Sequence, residues 1–148
     1  MSATKRLVSK DVKMDGRDYV VRKMDARLAT YVAFQLRSLI PTGEDVGSAI
    51  ALAGHAQRGM SRKEFFSLQN DCLSVCFHKE KAGEICVLDD AGNIQDPDLQ
   101  YNAKAILMLT IQSLGFNVMD FFDEIFLKEL DTLFRSMIPS PAKTSPTS

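Results

Sequence analysis

The sequence predicts a mainly α (α+β) fold, a bundle of about five helices carrying a small N-terminal antiparallel β-hairpin. Three observations point there. Strict alternation is confined to the first two dozen residues, around an Asp-Gly turn. From Leu28 onward apolar residues recur at helical spacing. Helix start signals, including a full Ser-x-x-Glu capping box, then punctuate the rest. Residues 1–138 read as a single helical domain with this hairpin, and 139–148 as a disordered Ser/Pro/Thr tail.

The elements follow in order. Leu7 to Lys13 and Asp18 to Lys23 read as two strands joined through Met14-Asp15-Gly16-Arg17, because Asp-Gly tolerates the positive φ angles of a tight hairpin turn. A lone hairpin is marginal in water, so it must lie against helices. Asp25 can cap the first helix, whose stripe is Leu28, Val32, Leu36 and Leu39, stopped by Pro41 and Gly43. Glu44 to Gln57 forms a weaker second helix, since Gly47 and Gly54 each cost about 1 kcal/mol relative to Ala. Ser61 and Glu64 make the capping box of a third helix running to about His78, with Met60 and Phe65 as its hydrophobic staple. Glu84 to Leu88 is β-like, followed by the turn Asp89 to Asn93. Asp96 and Pro97 read as N-cap and first residue of a fourth helix. Its centre, Ala105-Ile106-Leu107-Met108-Leu109, is apolar all round and so is expected in the middle of the bundle. Gly115 ends that helix, Asn117 caps a fifth with Phe116 and Phe121 as staple, and Pro139 terminates it after Met137.

Composition excludes several function classes. The chain has 148 residues, 45% apolar and 25% charged, with a formal net charge of −1. It can bury roughly two thirds of its unfolded surface, enough for a core without staples. Near-neutrality removes the overall basic field that holds nucleic acid. Charge is nevertheless uneven: Met1 to Lys63 has 12 Lys+Arg against 6 Asp+Glu, and Glu64 to Ser148 has 6 against 13. Either the halves attract each other within one fold, or copies associate head to tail. Cys72, Cys76 and Cys86 are too few, and odd in number, for a disulfide framework, which fits a reducing compartment. MSATKRLVSK has no apolar core of a secretory signal, and the run Ala105 to Leu109 is far too short for a bilayer.

Searches for chemistry fail on spacing. Cys72, Cys76, His78 and Cys86 have the atoms for structural zinc, but a helix through His78 would put that imidazole far around from Cys76. Asp89, Asp90, Asn93, Asp96 and Asp98 suggest calcium, yet Gly92 sits at the wrong offset and no Glu closes the loop. His55 and His78 have no nucleophile motif beside them, and no glycine run cradles phosphate. No metal, no cofactor and no enzymatic activity are expected. The basic residues from Lys5 to Arg27 alternate with acids, which weakens a nucleic-acid reading. The last helix is the most informative segment: Met119, Phe121, Phe122, Phe126, Phe134 and Met137 supply more large apolar surface than one narrow face needs, and are the candidate protein-binding residues.

Two stretches resemble a known family. Asp18-Tyr19-Val20-Val21-Arg22-Lys23-Met24-Asp25-Ala26-Arg27 resembles the strand, R-K-M/L-x-A and amphipathic-helix opening of tail assembly chaperones of long-tailed bacteriophages and prophages. Gly115-Phe116-Asn117-Val118-Met119-Asp120-Phe121-Phe122 is similar to the Phe-rich start of that family's closing helix. The resemblance spans roughly Val8 to Phe134. It implies a small helical, non-enzymatic protein of the host cytoplasm that binds the tape measure protein, helps recruit tail tube protein and is absent from the mature virion. It also implies two lengths made by a programmed frameshift, with which the Ser/Pro/Thr tail is compatible as a short form. It supplies no catalytic residues. The other classes open to the sequence are a structural tail or head–tail connector component, and a small DNA-binding cytoplasmic regulator.

Overall fold

A computed structural model describes residues 8–40 and 46–137, excepting the side chains of 124–127, 130 and 134. Pro41, Gly43 and Glu44, Pro139 and the tail lie outside the described residues. The chain runs β1 (Ser9–Met14), β2 (Arg17–Arg22), α1 (Ala26–Arg37), α2 (Ala49–Gly59), α3 (Arg62–Leu73), β3 (Cys76–Glu80), β4 (Gly83–Cys86), α4 (Ala103–Asn117), a 3-10 turn (Met119–Phe122) and α5 (Glu124–Met137). It is a mixed α+β fold. The strands form one antiparallel sheet in the order β1-β2-β3-β4, so the N-terminal hairpin is only half of it.

Local signals act where the sequence places them. Asp15 and Gly16 adopt φ of 51° and 76°, the geometry of the two-residue turn between Met14 and Arg17. The Asp25 carboxylate accepts from the backbone N–H groups of Arg27 and Leu28. Ser61 and Glu64 make both bonds of the capping box, at 3.1 and 2.8 Å.

Six expectations are corrected. Helix α2 starts at Ala49, because the Ser48 hydroxyl takes the Ala51 N–H and serves as N-cap. Helix α3 ends at Leu73 rather than near His78: Cys76–Glu80 pairs with β2 on one side and β4 on the other, and two ladders outweigh local helix propensity. Asp96 and Pro97 open only an isolated turn; the carbonyl of Asp96 accepts from Leu99 and Gln100, and α4 begins after Asn102, whose side chain takes the Ala105 N–H. Helix α4 then passes through Gly115 to Asn117, since Gly115 does not adopt the positive φ with which glycine ends a helix. Nor is α4 buried all round: Ala105 and Leu109 are buried, while Leu107 and Met108 are 47% and 42% exposed. The fifth helix is correspondingly split, with a 3-10 turn before Asp123 and α5 after it.

Helix α4 joins two apolar clusters. Its first half, with Ala105 and Leu109, packs with Tyr19, Val21, Leu73, Cys76 and Val87 on the sheet side. Its second half, with Leu114 and the Val118 that follows it, packs with Val32, Leu36, Leu52, Ala56, Leu68 and Cys72 on the helical side. Asn117 ties the two together. Its amide oxygen accepts from Met24 N–H at 2.7 Å and its amide nitrogen donates to the Arg22 carbonyl at 3.2 Å. Beside it the Lys23 ammonium lies 4.1 Å from the centre of the Phe116 ring and donates to the Phe116 carbonyl. The charge asymmetry is used within the fold: Arg17 pairs with Asp98 at 2.9 Å, and Arg22 pairs with Glu84 while lying 4.0 Å over Phe77.

Asn117→Ala removes an acceptor and a donor from backbone groups that leave the ladder. It should destabilise the fold by about 2 kcal/mol in urea unfolding, and Asn117→Asp, which keeps the acceptor, should lose less.

Candidate functional site

Two places merit attention: the apolar C-terminal segment, and a polar cluster at one end of the sheet. In the first, the 3-10 turn packs Phe122 into the helical core at 7% exposure, with Met119 and Phe121 half-buried against the same cluster. Asp123 is extended and turns the chain into α5. Helix α5 packs mainly on the 3-10 turn before it. Every α5 side chain that the structure describes is exposed, including Leu133 at 52% and Met137 at 67%. Leu133, with Lys128, Glu129, Thr132 and Ser136, lines a shallow depression on this helix. Of the six candidate binding residues, then, Met119, Phe121 and Phe122 lie in or against the core and Met137 faces outward; the side chains of Phe126 and Phe134 lie outside the described residues. Among the described residues no helix is long and apolar enough to cross a membrane.

The polar cluster was not foreseen, because it depends on the strand that sequence reasoning took for helix. Tyr19 on β2 and His78 on β3 are directly opposite each other, and their rings stack with centroids 4.8 Å apart. The His78 Nδ1 atom lies 3.1 Å from Asp96 Oδ2 and 3.4 Å from Glu80 Oε2. The Tyr19 hydroxyl donates to the same Asp96 oxygen at 3.5 Å. Asp96 is 7% exposed, and its other oxygen accepts from Asp98 N–H. A cleft of about 230 Å³ opens here between His78, Glu80, Ile85, Cys86, Gln95, Asp96 and Pro97. Burial, then the Asp96 carboxylate, push the Tyr19 phenol up to about 12.

His78, Asp96 and Asp98 each offer a ligand atom within 4.8 Å of the others. Arg17 already gives Asp98 a positive partner, so a cation at this point would have to displace a guanidinium. The residues weighed for zinc point elsewhere: the Cys76 thiol donates to the Cys72 carbonyl, and Cys86 lies nearest the Leu73 and Ser74 carbonyls. Those weighed for calcium make a turn instead, with Asp89 Oδ1 accepting from Ala91 and Asn93 N–H at 2.9 Å each. His55 sits half-buried on α2. The cluster is best described as a hydrogen-bonded clasp, which anchors the 96–98 turn to β2 and β3.

A family model described as phage tail assembly chaperone protein, TAC, matches residues 15–130. That span takes in the hairpin turn, all four remaining helices before α5 and the first half of α5. No curated protein and no solved structure matches the chain.

Burial also raises the thiols, Cys76 to about 12 and Cys72 further. Iodoacetamide at pH 8 should therefore label Cys86 in the native protein and reach Cys72 and Cys76 only on unfolding, as read by peptide mass spectrometry. Because folded Tyr19 holds its proton more tightly than the unfolded phenol, stability should fall as pH rises from 10 towards 12. The buried thiols begin the same decline from their ordinary value near 9, and Tyr19→Phe should flatten the portion above 10.

Proposed function

The chain belongs to the phage tail assembly chaperone family, and from that premise we propose that it binds apolar helical segments of the tape measure protein and keeps them soluble while tail tube protein is recruited. In this reading the protein works in the host cytoplasm, is non-enzymatic, and is released before the virion is complete. The observation that supports it best is α5: an amphipathic helix whose principal neighbour is the short turn leading into it, with Leu133 and Met137 turned outward. Met137 on an exposed helix suits clients of variable sequence, because its unbranched, flexible thioether repacks against many surfaces, and Leu133 adds apolar area beside it. Lys128 and Glu129 beside Leu133 add polar edges to that strip. The 3-10 turn supplies the opposite property, since Phe122 anchors it in the core and fixes where α5 leaves the domain.

Co-expression with the tape measure protein tests the proposal. The client should be soluble and co-purify with the chain, and should pellet without it. Leu133→Asp with Met137→Asp should abolish co-purification while leaving thermal unfolding within about 0.5 kcal/mol of the parent, as exposed substitutions do. Equal solubility of the client with and without the chain removes the reading. Recovery of the chain in purified particles by mass spectrometry favours a structural tail component instead.

A further inference from the structure

The two edges of the sheet are not equivalent. At β4 the edge is closed: the Gln95 side chain donates to the carbonyls of Cys86 and Leu88, and Gln95 N–H donates to Val87. At the other edge, β1 has β2 on its inner side and no described strand on its outer side. Its six residues are half-buried at most. An edge of this length presents a row of backbone donors and acceptors to any strand that can pair with it.

The direction of each group can be read off the ladder. The Lys23 N–H donates to the Val8 carbonyl at 3.0 Å, so Val8 points towards β2. In a strand, successive residues alternate, and Lys10, Val12 and Met14 therefore point inward as well. The backbone groups of Ser9, Asp11 and Lys13 point outward. Pairing with an identical strand about a two-fold axis must set outward residues opposite outward residues. Placing Asp11 opposite Asp11, or Lys13 opposite Lys13, sets like charges together. Placing Ser9 opposite Asp11 brings Lys10 against Lys10. Among the two-fold registers centred from Lys10 to Lys13, one avoids all three, with Asp11 opposite Lys13, Val12 opposite Val12 and Lys13 opposite Asp11.

We propose that β1 is a self-complementary edge on which a second copy of this chain docks, joining two sheets into one of eight strands. The contact is isologous, and each copy contributes the same Asp11-Val12-Lys13 segment. The two Asp11–Lys13 pairs lie on the same sheet face and bond through both backbone groups, while Val12 meets its symmetry mate on the core side. Charged residues on an edge strand ordinarily discourage pairing; here their order selects a single register. Within one copy Asp11 lies 3.3 Å from Lys79, and Lys13 lies 3.8 Å from Asp18, both on the surface. Exchanging such exposed pairs for cross-strand ones costs little. The inference stands apart from the client reading, because α5 takes no part in it.

Sedimentation of the full chain across a concentration series tests this. The parent should show a concentration-dependent dimer. Asp11→Lys and Lys13→Asp should each weaken it about tenfold or more, because each turns two attractive pairs into repulsive ones. The double variant Asp11→Lys with Lys13→Asp restores both pairs in reversed order, and should return the dimer to within about threefold of the parent. Hydrogen exchange provides a second readout: the amides of Asp11 and Lys13 should gain protection as concentration rises, and those of Lys10 and Val12 should be protected throughout. A parent that stays monomeric, single variants that dimerise as well as the parent, or a double variant without recovery would each overturn the proposal. Client co-purification, measured separately on the same variants, distinguishes its failure from that of the chaperone reading.

Discussion

The fold depends on how β2 leaves the sheet. Between Arg22 and Asp25 the chain stops being strand and has not yet become helix, so the Arg22 carbonyl and the Met24 N–H are taken up by a side chain rather than by a ladder or a helix. Asn117 supplies replacements from one side chain, an acceptor for Met24 and a donor for Arg22. A carboxamide is one of the few groups able to do both at once. It sits on the last turn of α4, the helix that lines both apolar clusters, so the sheet and the helical half are held at a set distance and angle by the same element. Hydrogen bonds of this kind are directional, as the apolar contacts that the two clusters share are not.

The boundary between what was legible in the sequence and what was not follows the range of the interactions. Asp15-Gly16, Asp25 and the Ser61/Glu64 box act on backbone groups within four residues, and all three do what their types dictate. Cys76-Phe77-His78-Lys79-Glu80 becomes a strand because of Tyr19, Val20 and Val21 far upstream. Nothing in its own composition distinguishes it from the end of the preceding helix. The Tyr19–His78–Asp96 clasp was invisible for the same reason. Asp96 was recognised as a capping residue, and it does cap, but a single turn rather than a helix. Leu107 and Met108 show the converse error: apolar residues on every side of α4 suggested burial on every side, and the sheet and helical layers cover only part of its circumference.

The candidate binding segment divides in a way that spacing alone could not separate. Phe121 and Phe122 are continuous in sequence with the α5 stripe, but Asp123 interrupts the helix between them. Residues before the break consolidate the core, and described residues after it face outward. Phe121 and Phe122 thus anchor the segment that leads into α5. The apolar excess of this part of the chain is real, and Met119, Phe121 and Phe122 direct their share of it into or against the core.

The sheet also carries a constraint on how the molecule is made. Its two hairpins are local and can close within microseconds. Their union cannot, because β2 and β3 are neighbours in space with residues 23–75, three helices' worth of chain, between them. Closing so long a loop is an entropic barrier that must be crossed before the contacts reward it. On the ribosome, where the chain emerges N-terminus first, Tyr19 and Val21 precede Cys76, Val87, Leu99, Ala105 and Leu109, the residues that cover them. Assembly of α1, α2 and α3 shortens that gap by bringing Val75 back to Arg22, whose N–H it accepts at 2.8 Å. The seam between β2 and β3 is thus the long-range step of the sheet, and the helices between them span it.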